Sequence, residues 1–160
     1  MTYRTGFGID FHQLVAGRKL ILGGIEIPFE KGAMGHSDAD VLLHAICDSL
    51  LGALCLGDIG EHFPNSDEKL KGIDSKILLE KTYQLVTARQ YRVVNLDTMI
   101  CLEKPRIMPF VSSMRVIISQ FLKITPDEIS IKATTTEKLG FIGREEGIMA
   151  QAVVLLTKVD

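Results

Sequence analysis

The sequence lacks most features that would assign it to a specialised class. Its three cysteines, Cys47, Cys55 and Cys101, lie far apart with no CxxC pair. That argues against a disulfide scaffold or a cysteine–zinc framework, and reads as buried thiols in a reducing compartment, with the cytoplasm as the expected location. Long apolar runs are missing too: stretches such as 152–156 are far too short to span a bilayer, so no membrane partner is expected. A net charge of −2 creates no global field toward nucleic acid or anionic lipid, and no nucleic-acid partner is expected either. Strand-like patterning begins at Tyr3, so no signal or transit peptide is expected. With no repeat, linker or low-complexity tract, residues 1–160 are expected to form one domain.

What is present suits a globular α+β protein, with 46% apolar and 24% charged residues. Alternating Tyr3, Phe7, Ile9 and Phe11 predict a strand over 3–12. Gly23-Gly24 between 20–22 and 25–27 predicts a tight hairpin. Ser37, with Asp40 three residues on, predicts an N-cap for a helix running to about Gly52. Residues 57–72, rich in Gly, Pro, Asn and acidic residues, predict a mobile loop. A second helix is expected over about 74–89, with Ile77, Leu78, Tyr83, Leu85 and Val86 marking its apolar side, and a third over 111–122. Strands are expected at 92–102, 129–135 and 147–159. The order predicts a mixed four-stranded sheet with helices on one face plus a small hairpin. Ile131, Met149 and Val153 are expected to cover the other face against a partner subunit.

Three groups of residues suggest chemistry. Asp10 and His12, two apart on a strand, share a face about 7 Å apart along the backbone, although a solvent-facing strand end is the blander alternative. Asp40, His44 and Asp48 stripe one side of the first helix, which by itself reads as a solvated polar face. His36 and Ser37 precede that helix, where amide donors favour an anion. One Asp and two His leave an open position on a tetrahedral zinc ion, so Asp10, His12, His44 and the 36–37 turn suit zinc beside a phosphate. The third group is Thr134-Thr135-Thr136-Glu137-Lys138 at a strand end, where hydroxyls and a lysine can grip phosphate and Glu137 can hold Mg²⁺. A β-branched strand terminus followed by a charged turn is equally compatible. Gly6-Phe7-Gly8 is no dinucleotide fingerprint, because Phe11 stands where the third glycine belongs. His62 is expected to be a solvated loop residue.

Together, Gly8-Ile9-Asp10-Phe11-His12, Gly35-His36-Ser37-Asp38-Ala39-Asp40-Val41, Leu56-Gly57-Asp58-Ile59-Gly60 and 132–141 (Lys-Ala-Thr-Thr-Thr-Glu-Lys-Leu-Gly-Phe) resemble the 2-C-methyl-D-erythritol 2,4-cyclodiphosphate synthase family over nearly the whole chain. The resemblance implies an α+β fold assembled as a homotrimer, with active sites between subunits. It implies zinc on Asp10, His12 and His44, and a second divalent cation (Mg²⁺ or Mn²⁺) on Glu137. His36 and Ser37 are implied for phosphate and the sugar alcohol, with His36 and Thr135 stabilising the transition state. Asp58, Ile59 and Gly60 are implied to contact the methylerythritol unit, and the loop bearing Phe63, Ser66 and Asp67 to close over it. Thr134, Thr135 and Thr136 match phosphate-binding hydroxyls. Residues 102–108, including Pro105 and Met108, match a backbone pocket for cytosine. Phe141 and Arg144 align with further substrate and trimer-cavity positions. The implied substrate is a cytidine diphosphate derivative that cyclises with release of CMP. A zinc phosphohydrolase and a trimeric binding module without turnover are the rival readings. Two features depart from the family pattern: Asn65 stands where an acidic residue is common, and Glu103-Lys104-Pro105-Arg106 is more charged than the usual cytosine-binding stretch.

Overall fold

The computed structural model describes residues 2–159; Met1 and Asp160, the ends of the expected domain, lie outside them. The described residues form seven strands and five α-helices in the order β1 (Tyr3–Ala16), β2 (Leu20–Leu22), β3 (Ile25–Ile27), β4 (Lys31–Met34), α1 (Val41–Ala53), α2 (Ile59–His62), α3 (Ser75–Ala88), β5 (Tyr91–Cys101), α4 (Val111–Leu122), β6 (Ile129–Thr134), α5 (Gly140–Gly143) and β7 (Gly147–Lys158). The main sheet has five strands in the order β4-β1-β7-β5-β6, one more than expected. All pairs are antiparallel except β5 and β6, so the sheet is mixed. The additional strand is β4, whose sequence Lys-Gly-Ala-Met carries no alternation and which forms by pairing with the extended end of β1. Expected and observed bounds of the other strands and of α3 differ by a residue or two at most ends, as fraying elements do. The range of α4 matches the expectation.

The hairpin forms as the sequence predicts. Leu22 pairs with Ile25, and Gly23 and Gly24 have φ of 58° and 81°, the double left-handed conformation of a tight two-residue turn. The start of α1 does not. Ala39 has φ of 59°, which interrupts any helix begun at Ser37, so Asp40 is the N-cap and its carboxylate accepts from Leu43 N–H. Asp40 is fully buried rather than part of a solvated stripe, and it also accepts from Gly23 and Gly24 N–H at 3.0 and 2.7 Å. One carboxylate thereby fixes both the helix start and the hairpin. Burial pushes its pKa up, with those amide donors opposing the shift. Asp48, half-buried on the same helix, accepts from Ile59 N–H at 2.7 Å and anchors α2.

Helices α1, α3 and α4 cover one face of the sheet, and the buried apolar residues form one cluster between the layers. On α3 the buried side is Leu78, Leu79, Thr82, Tyr83 and Val86, while Ile77 is 42% exposed. Alternation along β7 sends Ile148, Ala150, Ala152, Val154 and Leu156 toward the helices. Register with β5 places Ile131 on that same helix face, so its expected place on the outer face is corrected. Phe7, Phe11 and Val153 are exposed on the outer face, with Met149 partly so. Cys47 and Cys101 are buried but Cys55 is exposed, against the expectation of three buried thiols; burial pushes Cys47 up to about 12. No helix among the described residues is long and apolar enough to cross a membrane.

The closest contact between layers is α1 over β1. A Cβ on Gly6 or Gly8 would overlap the backbone carbonyls of Ser49 and Ala45, whereas one on Gly52 would meet only the Phe7 carbonyl at 3.7 Å. Gly8→Ala is therefore expected to destabilise by about 1–3 kcal/mol, and Gly52→Ala to stabilise by about 0.5–1 kcal/mol through helix propensity. Urea unfolding of the two variants checks both signs, and equal effects would remove the steric account.

Candidate functional site

The close approach of α1 to β1 builds the site. Asp10 and His12 follow Gly8 on the helix-facing side of β1, and His44 precedes the residue that covers Gly8. Their ligand atoms form a triangle: Asp10 Oδ2 to His12 Nε2 3.0 Å, Asp10 Oδ2 to His44 Nδ1 3.0 Å, and His12 Nε2 to His44 Nδ1 3.2 Å. Ligands on a tetrahedral ion with bonds of about 2.0–2.1 Å stand about 3.3 Å apart, so the triangle has the right size for one.

The hydrogen bonds on the far side of each ring say which nitrogen faces the triangle. His12 Nδ1 lies 2.9 Å from the Met34 carbonyl, which only accepts, so Nδ1 carries the hydrogen and Nε2 presents a lone pair. His44 Nε2 lies 2.9 Å from Ser75 Oγ and 3.1 Å from Ser37 Oγ. Ser75 donates its hydroxyl to Asp38, so it accepts from His44 Nε2–H and leaves Nδ1 as the lone pair. Two imidazole lone pairs and a carboxylate then face one another with no hydrogen between them, an arrangement that calls for a cation. Side-chain exposures of 26%, 14% and 12% for Asp10, His12 and His44 keep the charge poorly solvated. Burial disfavours charge on Asp10, but its interactions with His12 and His44 outweigh it and hold its carboxyl well below the usual carboxylate range. Burial likewise opposes charge on His44, and Asp10 overcomes it and raises the imidazole. Asp10, His12 and His44 are thus a group able to hold a metal ion.

The triad opens on a cavity of about 220 Å³, also lined by His36, Ser37, Ile59, Gly60, Phe63 and Asn65. Asn65 therefore stands at the site itself. Asp58 does not line the cavity; it caps α2 through Glu61 N–H and so aims Ile59 and Gly60 inward. Asp67 caps the 3₁₀ turn Glu68–Leu70, and its carbonyl lies 3.4 Å from His36 Nε2. Ser66 is exposed outside the cavity lining. The expected loop is thus built from a short helix and a turn. His62 is not a solvated residue: it is partly buried, with Nε2 2.8 Å from the Leu56 carbonyl.

The remaining candidates gather elsewhere. Pro105, Met108, Thr134 and Thr135 line a second cavity of about 400 Å³ with Leu102, Glu103, Arg106 and Ile107. Glu137 is exposed beside it and accepts from Thr135 Oγ1 at 3.1 Å. Thr136 donates to the Leu139 carbonyl, and Lys138, expected to grip phosphate, is paired with Glu103 at 2.7 Å. Phe141 packs on Phe11 at 6.2 Å between ring centroids, and Arg144 pairs with Glu146. Register places Thr134 three strands from Asp10, about 14 Å, on the outer face rather than the helix face. The two cavities share no lining residue.

Fold and triad define a small α+β protein with a metal-competent pocket, and comparison with known proteins makes the class specific. The YgbB family model matches residues 3–157, and the chain belongs to that family. Relatives named 2-C-methyl-D-erythritol 2,4-cyclodiphosphate synthase include those of Chloroherpeton thalassium, 58% identical over 98% of this chain and 99% of the relative, and Natranaerobius thermophilus, 56% identical over the same shares. Among solved structures, the bifunctional IspDF of Campylobacter jejuni superposes with a TM-score of 0.95 at 40% identity, covering 99% of this chain and 43% of that one. A CDP complex of IspF from Plasmodium falciparum does so at 0.87 and 34% identity, over 99% and 97%.

Neither Ser75 nor Asp38 was singled out from the sequence, and the Ser75 contact with His44 crosses 31 residues, so only the fold reveals it. The triad of the unmodified protein is expected to hold one divalent ion per chain. Ser75→Ala should weaken that ion about 10–100-fold in chelator competition, because the His44 tautomer loses its support. Undiminished affinity would assign the orienting role to Ser37 alone.

Proposed function

We infer that the chain converts 4-diphosphocytidyl-2-C-methyl-D-erythritol 2-phosphate to 2-C-methyl-D-erythritol 2,4-cyclodiphosphate and CMP, as a phosphorus–oxygen lyase of the non-mevalonate route to isoprenoids. The observation that carries this reading is the lone-pair triangle of Asp10, His12 and His44 opening on the cavity, in a chain 58% identical to a synthase of that name. Proposed for the triad is zinc, and for Glu137 a second divalent cation, Mg²⁺ or Mn²⁺. When bound, these ions supply Lewis-acid stabilisation of phosphoryl oxygens.

The chain's own work is binding and orientation. The substrate brings its nucleophile, so its 2-phosphate attacks the β-phosphorus in line and the β-phosphorus–oxygen bond to CMP breaks. His36 and Ser37, on the wall of the first cavity, orient the reacting phosphate and the sugar alcohol, and Ile59, Gly60 and Phe63 exclude water from them. Thr134 and Thr135 meet the nucleotide diphosphate, His36 and Thr135 stabilise the transition state from opposite sides, and the 102–108 segment receives cytosine. Ring closure by the substrate's own phosphate needs no general base on water, and His36 on the cavity wall serves the phosphate in this reading, which sets it apart from a zinc phosphohydrolase. The converged triad disfavours a binding module without turnover.

Reaction in ¹⁸O-labelled water tests this. An unlabelled cyclic diphosphate with one CMP per ring is expected, with turnover lost in Glu137→Gln. A labelled open-chain bisphosphate would install the hydrolase instead.

Assembly as a homotrimer is part of the proposal. The first cavity lies on the helix side of the sheet and Thr134 on the outer side, so two copies are needed to bring a triad and a threonine cluster to one diphosphate. The exposed Phe7, Phe11 and Val153 offer apolar cover for that contact. Light scattering at micromolar concentration should return three times the chain mass without substrate, and a monomer mass would remove the shared site. The proposed location is the cytoplasm.

A further inference from the structure

Within the segment proposed to receive cytosine, the carboxylate of Glu103 has no role in the reading above. It sits two residues past Cys101 on the way out of β5, and Thr136 sits two past Thr134 on the way out of β6; Cys101 and Thr134 are partners in the parallel ladder. The ladder ends with Leu102 N–H on the Thr134 carbonyl, after which both segments contribute to the wall of the second cavity. Beyond that point Glu103 is the tie. Its side chain is 2% exposed, and its Oε1 accepts from Thr136 N–H at 3.1 Å and Lys138 N–H at 3.3 Å. Its Oε2 accepts from Lys138 Nζ at 2.7 Å.

The turn needs such a tie. Glu137 and Lys138 are consecutive non-glycine residues with φ of 52° and 67°, a left-handed pair that holds only where surrounding contacts fix it. Amides around a left-handed turn form a concavity for an anion, and here the anion is a carboxylate of the chain itself. Lys138 draws that carboxyl below its usual range against the pull of burial, so Glu103 is ionised and its bonds to the amides are charge-assisted. With Lys138 and two amides directed at Glu103, the groups left for a ligand are the Thr134 and Thr135 hydroxyls and the Glu137 carboxylate.

We propose that Glu103 is a positioning residue for nucleotide binding, which locks the 136–138 turn to the cavity wall so that Thr134, Thr135 and Glu137 face a nucleoside diphosphate carrying a divalent cation. The proposal rests on the reading that this cavity takes the cytidine nucleotide. It separates Glu103→Gln, whose amide oxygen still accepts from Thr136 and Lys138 N–H, from Glu103→Ala, which accepts from neither.

Titration calorimetry of CDP with Mg²⁺ tests it on the intact protein, with triad metal content and melting midpoint measured in parallel. Glu103→Ala is expected to lose about tenfold or more in CDP affinity and to need more Mg²⁺ for half-maximal binding, with metal content and melting near those of the unmodified chain. Glu103→Gln should stay within about threefold. Unchanged CDP affinity in Glu103→Ala overturns the proposal. So does an equal loss in both variants, or an affinity loss accompanied by a matching fall in metal content and melting. Failure of the unmodified protein to bind CDP would overturn the nucleotide reading, and this proposal with it.

Discussion

The crossing of α1 over β1 is the contact on which the rest of the molecule depends. Ser49 lies over Gly6 and Ala45 over Gly8, at separations that leave no room for a side chain on the strand. Continuing along that face, β1 presents Asp10 and His12, and the residue of α1 just before Ala45 is His44. The packing that seals the core therefore also sets the triad. A helix held farther off by ordinary side chains would leave His44 short of Asp10, and three residues from two distant segments would not converge. Core and site share one geometric requirement, which explains why glycines stand between Thr5, Phe7 and Ile9 in the middle of the strand.

The buried and partly buried acids divide into two kinds by what they face. Asp40 is surrounded by amide donors from Gly23, Gly24 and Leu43, Asp38 by Ser75 and the Asp40 amide, and Glu103 by Thr136 and Lys138. Each is satisfied within the chain, as burial of charge requires. Asp10 is different. Its neighbours are two imidazole nitrogens whose hydrogens are committed elsewhere, to the Met34 carbonyl and to Ser75. A carboxylate facing lone pairs is incomplete without a cation, and this contrast, more than the identity of the residues, marks the metal site off from the structural acids around it.

What could be read from the sequence follows from how local each signal is. The Gly23-Gly24 hairpin, α4 and the strand β7 are set by neighbours in the chain, and they were legible. Asp10, His12 and His44 were legible from residue type as a set that suits zinc, and the family resemblance singled them out as its ligands, since spacing alone left a solvent face open. The exceptions are contacts across distance. Lys31–Met34 becomes a strand only because the end of β1 is available to pair with it. Asp40 reads as one member of a polar stripe until the hairpin closes over it, and the left-handed Ala39 that delays the helix has no signature in composition. Lys138 looked like a phosphate ligand because its partner lies 35 residues away.

The sheet that positions both halves of the proposed site also keeps them apart within one chain. Residues at i and i+2 share a face, and the register carries that parity from β1 through β7 and, on the site side of a bulge between Val93 and Asn95, through β5 to β6. Asp10 and His12 are therefore committed to the helix side, and Thr134 to the outer side, by the same hydrogen bonds that hold the strands together. No loop movement reverses a parity fixed by a ladder; only a register slip would, and it would expose the buried half of β7. A diphosphate that must meet both groups is thus more readily served by a second copy of the chain than by any rearrangement of the first. On this view the exposed Phe7, Phe11 and Val153 belong to the chemistry as much as to the packing.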